Sequence, residues 1–154
     1  MIGLRRVDDA GVERLLGLAV ADADPTDVMP PGWTLDRPDD FREFYRGFQD
    51  DAYEIVDGER TVGMIRLTAK GETGIWVARC ARGHGVGLAA LRRVIEEAPR
   101  RGVTTVFADT TTDNTAAMAL LRKAGAVLDV DGTHVHARIP VPVEPCPSDG
   151  VDVG

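Results

Sequence analysis

The chain has 154 residues, 44% of them hydrophobic, which is the size of one domain with a real core. No apolar run approaches the roughly 18 residues that span a bilayer, and Arg5, Arg6, Asp8 and Asp9 stand where a secretory leader would carry its apolar stretch. Cys80 and Cys146 lack metal or redox spacing and the net charge is −7, so a reduced, cytoplasmic protein without membrane or nucleic-acid partners is expected.

In chain order, residues 2–7 read as a first strand, after which Val12, Leu15, Leu16, Ala19 and Val20 recur with a helical period. Residues 21–40 are rich in Asp and Pro and read as a loop. Phe41, Phe44, Tyr45 and Phe48 follow at i, i+3, i+4 and i+7, an aromatic helix stripe. Residues 52–56 and 61–68 flank Asp57-Gly58-Glu59-Arg60, a hairpin signal. Residues 74–79 form another strand. It leads through a glycine-rich loop into a helix with apolar positions Leu88, Leu91, Val94, Ile95 and Ala98, closed by Pro99 and Gly102. Residues 103–109 read as a strand and 115–124 as a helix capped by Asp113 or Asn114. Residues 126–130 and 133–139, around Asp131-Gly132, make a final hairpin. Pro140, Pro142, Pro145 and Pro147 mark 140–154 as a tail expected to be disordered, leaving 1–139 as a single domain. Hairpin strands with helices between them predict a mixed α/β sheet in one layer pair.

The junction Arg82-Gly83-His84-Gly85-Val86-Gly87-Leu88 is the most informative stretch. The first turn of a helix leaves backbone N–H groups unpartnered, and glycines let a ligand approach them closely. The helix dipole adds partial positive charge there, so the loop suits a phosphate or pyrophosphate. A ligand-free glycine turn is the plainer alternative. Charge supports the first reading. Residues 79–102 carry six arginines against Glu96 and Glu97, a basic island in an otherwise acidic chain.

On these residues the chain resembles the GNAT superfamily of N-acetyltransferases over residues 2–139. Arg82 to Gly87 fits that family's Q/R-x-x-G-x-G/A acyl-coenzyme A loop. Asp113-Asn114-Thr115-Ala116-Ala117, followed by Leu120 and Gly125, resembles its later N-x-x-A-x-x-L…G segment. The fold this implies is a mixed, mostly antiparallel central sheet of about seven strands flanked by helices. A dinucleotide-binding reading competes, because Gly85 to Ala90 also satisfies G-x-G-x-x-A with Asp109 ending the next strand. However, Gly85 comes six residues after the preceding strand, and too little chain remains for a doubly wound sheet. A Walker loop is excluded, since no G-K-[ST] follows.

The resemblance implies direct acetyl transfer from acetyl-coenzyme A to an amine, with no metal. The pyrophosphate would rest on the backbone of Gly83, His84, Gly85, Val86, Gly87 and Leu88, with Arg82 nearby. Pantetheine would pair with main chain at Trp76, Val77 and Ala78, and Asn114 would contact it through its amide, unless Asn114 serves only as a helix cap. Asp109 is the catalytic candidate, five residues before Asn114, where ribosomal-protein alanine acetyltransferases of the superfamily carry a glutamate base. Seven residues after Asn114 the family often has a tyrosine that protonates the leaving thiolate; here Leu121 stands and cannot donate. His134 and His136 share a face of the last strand and could serve as acid or base, or simply be an exposed strand face.

For the acceptor, Asp22, Asp24, Asp27, Asp36, Asp39 and Asp40 crowd the 21–40 loop beside Trp33 and the aromatic stripe. Carboxylates and aromatic faces together suit a small cationic amine, such as an aminoglycoside-like compound or a polyamine; a protein amine is the runner-up. Leu121 keeps a second class open, an acyl-coenzyme A-binding module with little catalysis. The resemblance also carries an expectation of a homodimer.

Overall fold

The computed structural model describes residues 1–23, 28 and 33–142. Asp24 and Asp27 of the acidic loop, and the tail beyond residue 142, lie outside the described residues. Among these residues the chain forms seven strands in two antiparallel sheets, with helices between them. The first sheet has the order β1 (Ile2–Arg6), β2 (Ala52–Asp57), β3 (Arg60–Leu67), β4 (Thr73–Val77). The second runs β5 (Thr105–Thr111), β7 (His134–Pro140), β6 (Val127–Asp131). The helices are α1 (Asp9–Asp22), α2 (Pro38–Arg46), α3 (Val86–Glu97) and α4 (Thr115–Lys123).

Local sequence explains most boundaries. Asp8 caps α1 by accepting from Gly11 N at 2.7 Å, and Val12, Leu15, Leu16 and Ala19 make its buried stripe. Pro38 opens α2 with Asp39 and Asp40 in its first turn, where the dipole favours acids. This moves both aspartates out of the expected loop and into a helix. Gly58 and Gly132, at φ 66° and 64°, turn the β2–β3 and β6–β7 hairpins.

Two strand limits differ from expectation. β4 stops at Val77 because residues 79–81 wind into a short 3₁₀ turn. β5 begins at Thr105 and runs to Thr111, because Val103 N bonds back to Ala98 O and ladder pairing starts at Thr105 opposite Pro140. Asp109 therefore sits inside a strand and not at its end.

Two hydrophobic clusters cover opposite faces. One packs Ile55, Ile65 and Leu67 of the first sheet and Val106, Ala137 and Ile139 of the second under Leu91 and Val94 of α3 and Leu121 of α4. The other packs Leu15, Ala19, Phe41 and Tyr45 of α1 and α2 against Ala52, Met64 and Trp76. One carboxylate is buried beside that second cluster. Glu54 of β2 is fully inaccessible; it accepts from Arg14 Nε and Nη2 at 2.8 Å, from Arg5 Nε at 3.0 Å and from Thr61 Oγ1 at 2.8 Å. Burial pushes its carboxyl up, but these donors outweigh burial and bring it to about 2. Gly11 makes room for it, since a Cβ there would lie 2.8 Å from Glu54 Oε2.

Candidate active site

The two sheets meet along β4 and β5 at a single point. Glu72 and Phe107 form one parallel bridge, and Phe107 N donates to Gly71 O at 2.8 Å. Gly71 permits this closeness: a Cβ on it would lie 2.2 Å from Thr105 O, and its φ is +91°. Past the bridge no further β4–β5 pairing forms, and the strands border two adjoining cavities of ≈ 410 Å³ and ≈ 240 Å³. Ile75, Asn114, Ala117 and Leu120 line both.

The edge of β4 has a defined hydrogen-bonding pattern. Thr68 N donates to Glu72 O and Ala78 N to Val62 O, and antiparallel pairs alternate between bonded and non-bonded rows. In this register Gly74, Trp76 and Ala78 turn their main chain toward β3, while Ile75 and Val77 turn theirs to the open edge. Of the three expected pantetheine contacts, Val77 thus offers free main chain. Trp76 lines the larger cavity, although its indole is buried and its Nε1 donates to Tyr45 Oη at 3.0 Å, whereas Ala78 is buried outside both cavity walls.

At the mouth of the larger cavity stand Arg82, Gly83, Gly85, Val86, Gly87 and Leu88. Gly83 and Gly85 hold φ +80° and +75° with nothing within 4 Å of a notional Cβ, so their side is open. Gly85 is the N-cap of α3 and no side chain caps the helix, which leaves its first N–H groups directed at this opening. This cradle fits a pyrophosphate. His84 is exposed and does not line the cavity, unlike its neighbours. The basic island is only partly aimed here. Arg100 pairs with Glu97 at 2.8 Å, and Arg101 bonds Asp51 and the Leu67 carbonyl at 2.7 Å, tying the chain after α3 to β2 and β3.

Asn114 caps α4, its Oδ1 accepting from Ala117 N at 3.1 Å. It also lines both cavities, so cap and ligand contact are compatible: the carbonyl is used and the amide hydrogens are left for another acceptor. Thr73 Oγ1, in the wall of the smaller cavity, is buried without a hydrogen-bond partner. A buried hydroxyl in that state costs about 1–3 kcal/mol, which a polar ligand atom would recover. Leu121 lines the same cavity and supplies only methyl groups. Ala117 and Leu120 belong to the segment already read after Asn114, whereas Thr73 and Ile75 carry no motif and only strand register reveals them.

Asp109 borders the smaller cavity. His136 Nδ1 lies 2.9 Å and His134 Nε2 3.0 Å from the same oxygen, Asp109 Oδ1. Among the described residues no group of His, Cys, Asp or Glu is arranged to hold a metal ion.

The expected acceptor wall is rearranged. Trp33, Phe41 and Tyr45 are core residues, and Trp33 Nε1 donates to Arg37 O at 2.8 Å. Asp39 pairs with Arg42 at 3.0 Å, Asp40 with Arg37 at 3.6 Å, and Asp36 accepts from Thr34. Asp22 accepts from Cys80 N at 3.1 Å, and Arg60 Nη2 donates to Cys80 Sγ at 3.0 Å. The hydrogen bond to Asp22 pushes the Cys80 thiol up, with burial and charge adding to it. No described helix is long and apolar enough to cross a membrane.

Residues 16–126 match the model of the Acetyltransferase (GNAT) family. No curated protein sequence matches the chain. Solved structures resemble it in fold. The ribosomal L7/L12 α-N-protein acetyltransferase RimL, in complex with coenzyme A, gives a TM-score of 0.73 at 16% identity, covering 91% of this chain and 94% of its own. The GNAT domain of PAT from S. lividans gives 0.70 at 18%, covering 90% and 89%. N-acetyltransferase PseH from Campylobacter jejuni, in complex with acetyl coenzyme A, gives 0.66 at 16%, covering 92% and 100%.

Proposed function

The chain belongs to the GNAT family of acetyltransferases, and from that premise we propose that it moves an acetyl group from acetyl-coenzyme A to the primary amine of a small cationic acceptor, directly, in a ternary complex. The observation that carries this reading is the pair of adjoining cavities along the β4–β5 gap, one at the glycine cradle and one at Asp109, which share Ile75, Asn114, Ala117 and Leu120 as walls. The donor's pyrophosphate fits the uncapped N-terminus of α3. Its pantetheine fits the open main chain of Ile75 and Val77 and the Asn114 amide. The orphaned Thr73 hydroxyl is a partner for a polar atom deep in the gap.

The transfer needs a neutral amine. Deprotonating a lysine-like amine, of pKa about 10.4, costs roughly 4–5 kcal/mol at pH 7. Fixing donor and acceptor in line recovers several kcal/mol or more, so placement contributes the larger share. The acceptor nitrogen bonds the acetyl carbon, the carbon–sulfur bond breaks, and the electron pair leaves on sulfur. Main-chain N–H groups at the β4 edge suit the developing oxyanion.

A cationic acceptor is favoured by Asp109 at the cavity and by Asp129 and Asp131 on the same side of β5–β7–β6. Leu121 favours one second reading, a module that binds acyl-coenzyme A with little turnover. Thiol release from acetyl-coenzyme A against an amine panel, alongside calorimetric coenzyme A binding, separates the readings. Turnover concentrated on polyamines or aminoglycoside-like amines is expected, with binding weakened at least tenfold in Gly85→Val. Turnover of neutral or acidic amines alone would end the cationic assignment. Tight binding with no turnover would favour the binding module.

A further inference from the structure

We propose that His136, oriented by Asp109, is the base that removes the amine's proton, and that His134 completes a His–Asp–His relay on the acceptor side of the second sheet. The inference rests on the acetyltransferase reading above. Strand register brings the three together. Asp109 of β5 is opposite His136 of β7, and His134 is opposite Thr111, one row on. Side chains alternate along a strand, so Phe107, Asp109 and Thr111 share one face with His134, His136 and Arg138. The other face is the core, where Val106, Val135, Ala137 and Ile139 are buried beneath α3 and α4. The relay therefore opens on the side away from α3, whose N-terminus forms the cradle.

The His136–Asp109 hydrogen bond defines one tautomer. An ionised carboxylate only accepts, so His136 Nδ1, 2.9 Å from Asp109 Oδ1, carries the hydrogen of that bond. Neutral His136 is then the Nδ1–H form, which leaves its Nε2 with a lone pair, while His134 Nε2 at 3.0 Å from the same oxygen is placed to ion-pair when protonated. Asp109 fixes the His136 ring and its tautomer, as the aspartate of a hydrolase triad does for its histidine. His136 is the better placed of the two. It sits directly across from Asp109, its ring stacks on Phe107 with centroids 5.6 Å apart, and its side chain is 41% exposed against 58% for His134. Phe107 also makes the bridge that begins the gap.

The step balances without a further reagent. The proton on the acceptor nitrogen passes to His136 Nε2, directly or through one water, and the pair it leaves forms the nitrogen–carbon bond. The imidazolium then unloads its proton to solvent at its exposed edge. Other charged groups on this face are Asp129 of β6, opposite His136; Asp131, opposite His134; and Arg138, which pairs with Asp129 at 3.7 Å. Imidazole is the side chain that exchanges protons near neutrality, so it suits the role better than a carboxylate acting alone.

The test uses the full chain, acetyl-coenzyme A and the best amine from the panel. His136→Ala should lower kcat on the order of a hundredfold with an unchanged KM for acetyl-coenzyme A, and free imidazole should restore part of the rate. Asp109→Asn combined with His136→Ala should be no slower than His136→Ala alone, because the pair acts as a unit. Nitrogen-15 spectra of the unliganded wild type, which need no acceptor, should show neutral His136 as the Nδ1–H tautomer. Full kcat in both His136→Ala and His136→Gln, or an Nε2–H tautomer at His136, would overturn the relay while leaving the acetyltransferase reading intact. A wild type that acetylates no amine overturns both.

Discussion

Replacing Glu54 by Gln isolates the contribution of the one carboxylate buried among the described residues. The amide keeps the shape but removes the charge shared by Arg5, Arg14 and Thr61. Its carboxyl is held at about 2 against an ordinary 4.5. A depression of that size corresponds to about 3 kcal/mol of stability at neutral pH. Removing one partner of a buried pair costs roughly 3–5 kcal/mol. The two guanidiniums here are each 41% exposed and can recover hydration, which favours the lower end. Because the folded value is depressed, the contribution is complete above the unfolded value near 4.5 and disappears as pH falls through about 2. Urea unfolding should therefore show Glu54→Gln about 3 kcal/mol less stable than wild type at pH 7, with the gap narrowing below pH 4.5 and closing near 2. A gap under about 1 kcal/mol at neutral pH, or one independent of pH, would refute the reasoning.

Gly71→Ala attacks the pinch between the sheets: its Cβ would lie 2.2 Å from Thr105 O at a φ of +91°. A loss of about 2 kcal/mol or more is expected, together with weaker coenzyme A binding by calorimetry. Gly83→Ala, at a comparable φ but in open space, should cost about 1 kcal/mol. Leu121→Tyr would place a phenol in the smaller cavity, so kcat for thiol release should rise several-fold, measured with coenzyme A affinity as a control; an unchanged kcat would mean the thiolate needs no donor. Cys80→Ser should leave thiol release within about twofold of wild type, since that thiol is outside both cavities and its pKa is pushed up, away from the reactive thiolate.

What could be read from the sequence was what is local. The glycine run before α3, the cap at Asn114 and the hairpins at Gly58 and Gly132 each lie within a few residues of their partners, so composition and spacing reveal them. The division into two sheets is not local. It depends on Gly71 meeting Thr105 and on β7 returning to β5, which are long-range closures. The same distance hid Glu54, an acid in the strand pattern Ala52–Asp57 whose partners are 7 to 49 residues away. The acidic segment is less available than its composition implies for the opposite reason: Arg37–Asp40 and Asp39–Arg42 are i,i+3 pairs that neutralise each other within one helix turn. The aromatic stripe has the right period for either role, and packing against Met64 and Trp76 assigns Phe41 and Tyr45 to the core.

The same architecture argues for transfer in a single step. A covalent acetyl-enzyme would need an activated nucleophile in the gap between β4 and β5. Cys80, the cysteine among the described residues, lies outside the gap and is bound to Arg60 with its thiol pushed up by Asp22. The gap itself offers Asp109, Asn114 and the hydroxyls of Thr73 and Thr110, of which Asn114 is occupied in capping α4. Meanwhile α3 and α4 cover one face of the sheets, and Asp109 and its histidines occupy the other. On the proposed assignment, donor and acceptor would reach the gap from opposite faces, and their reacting atoms would meet without an intermediate carrier on the protein.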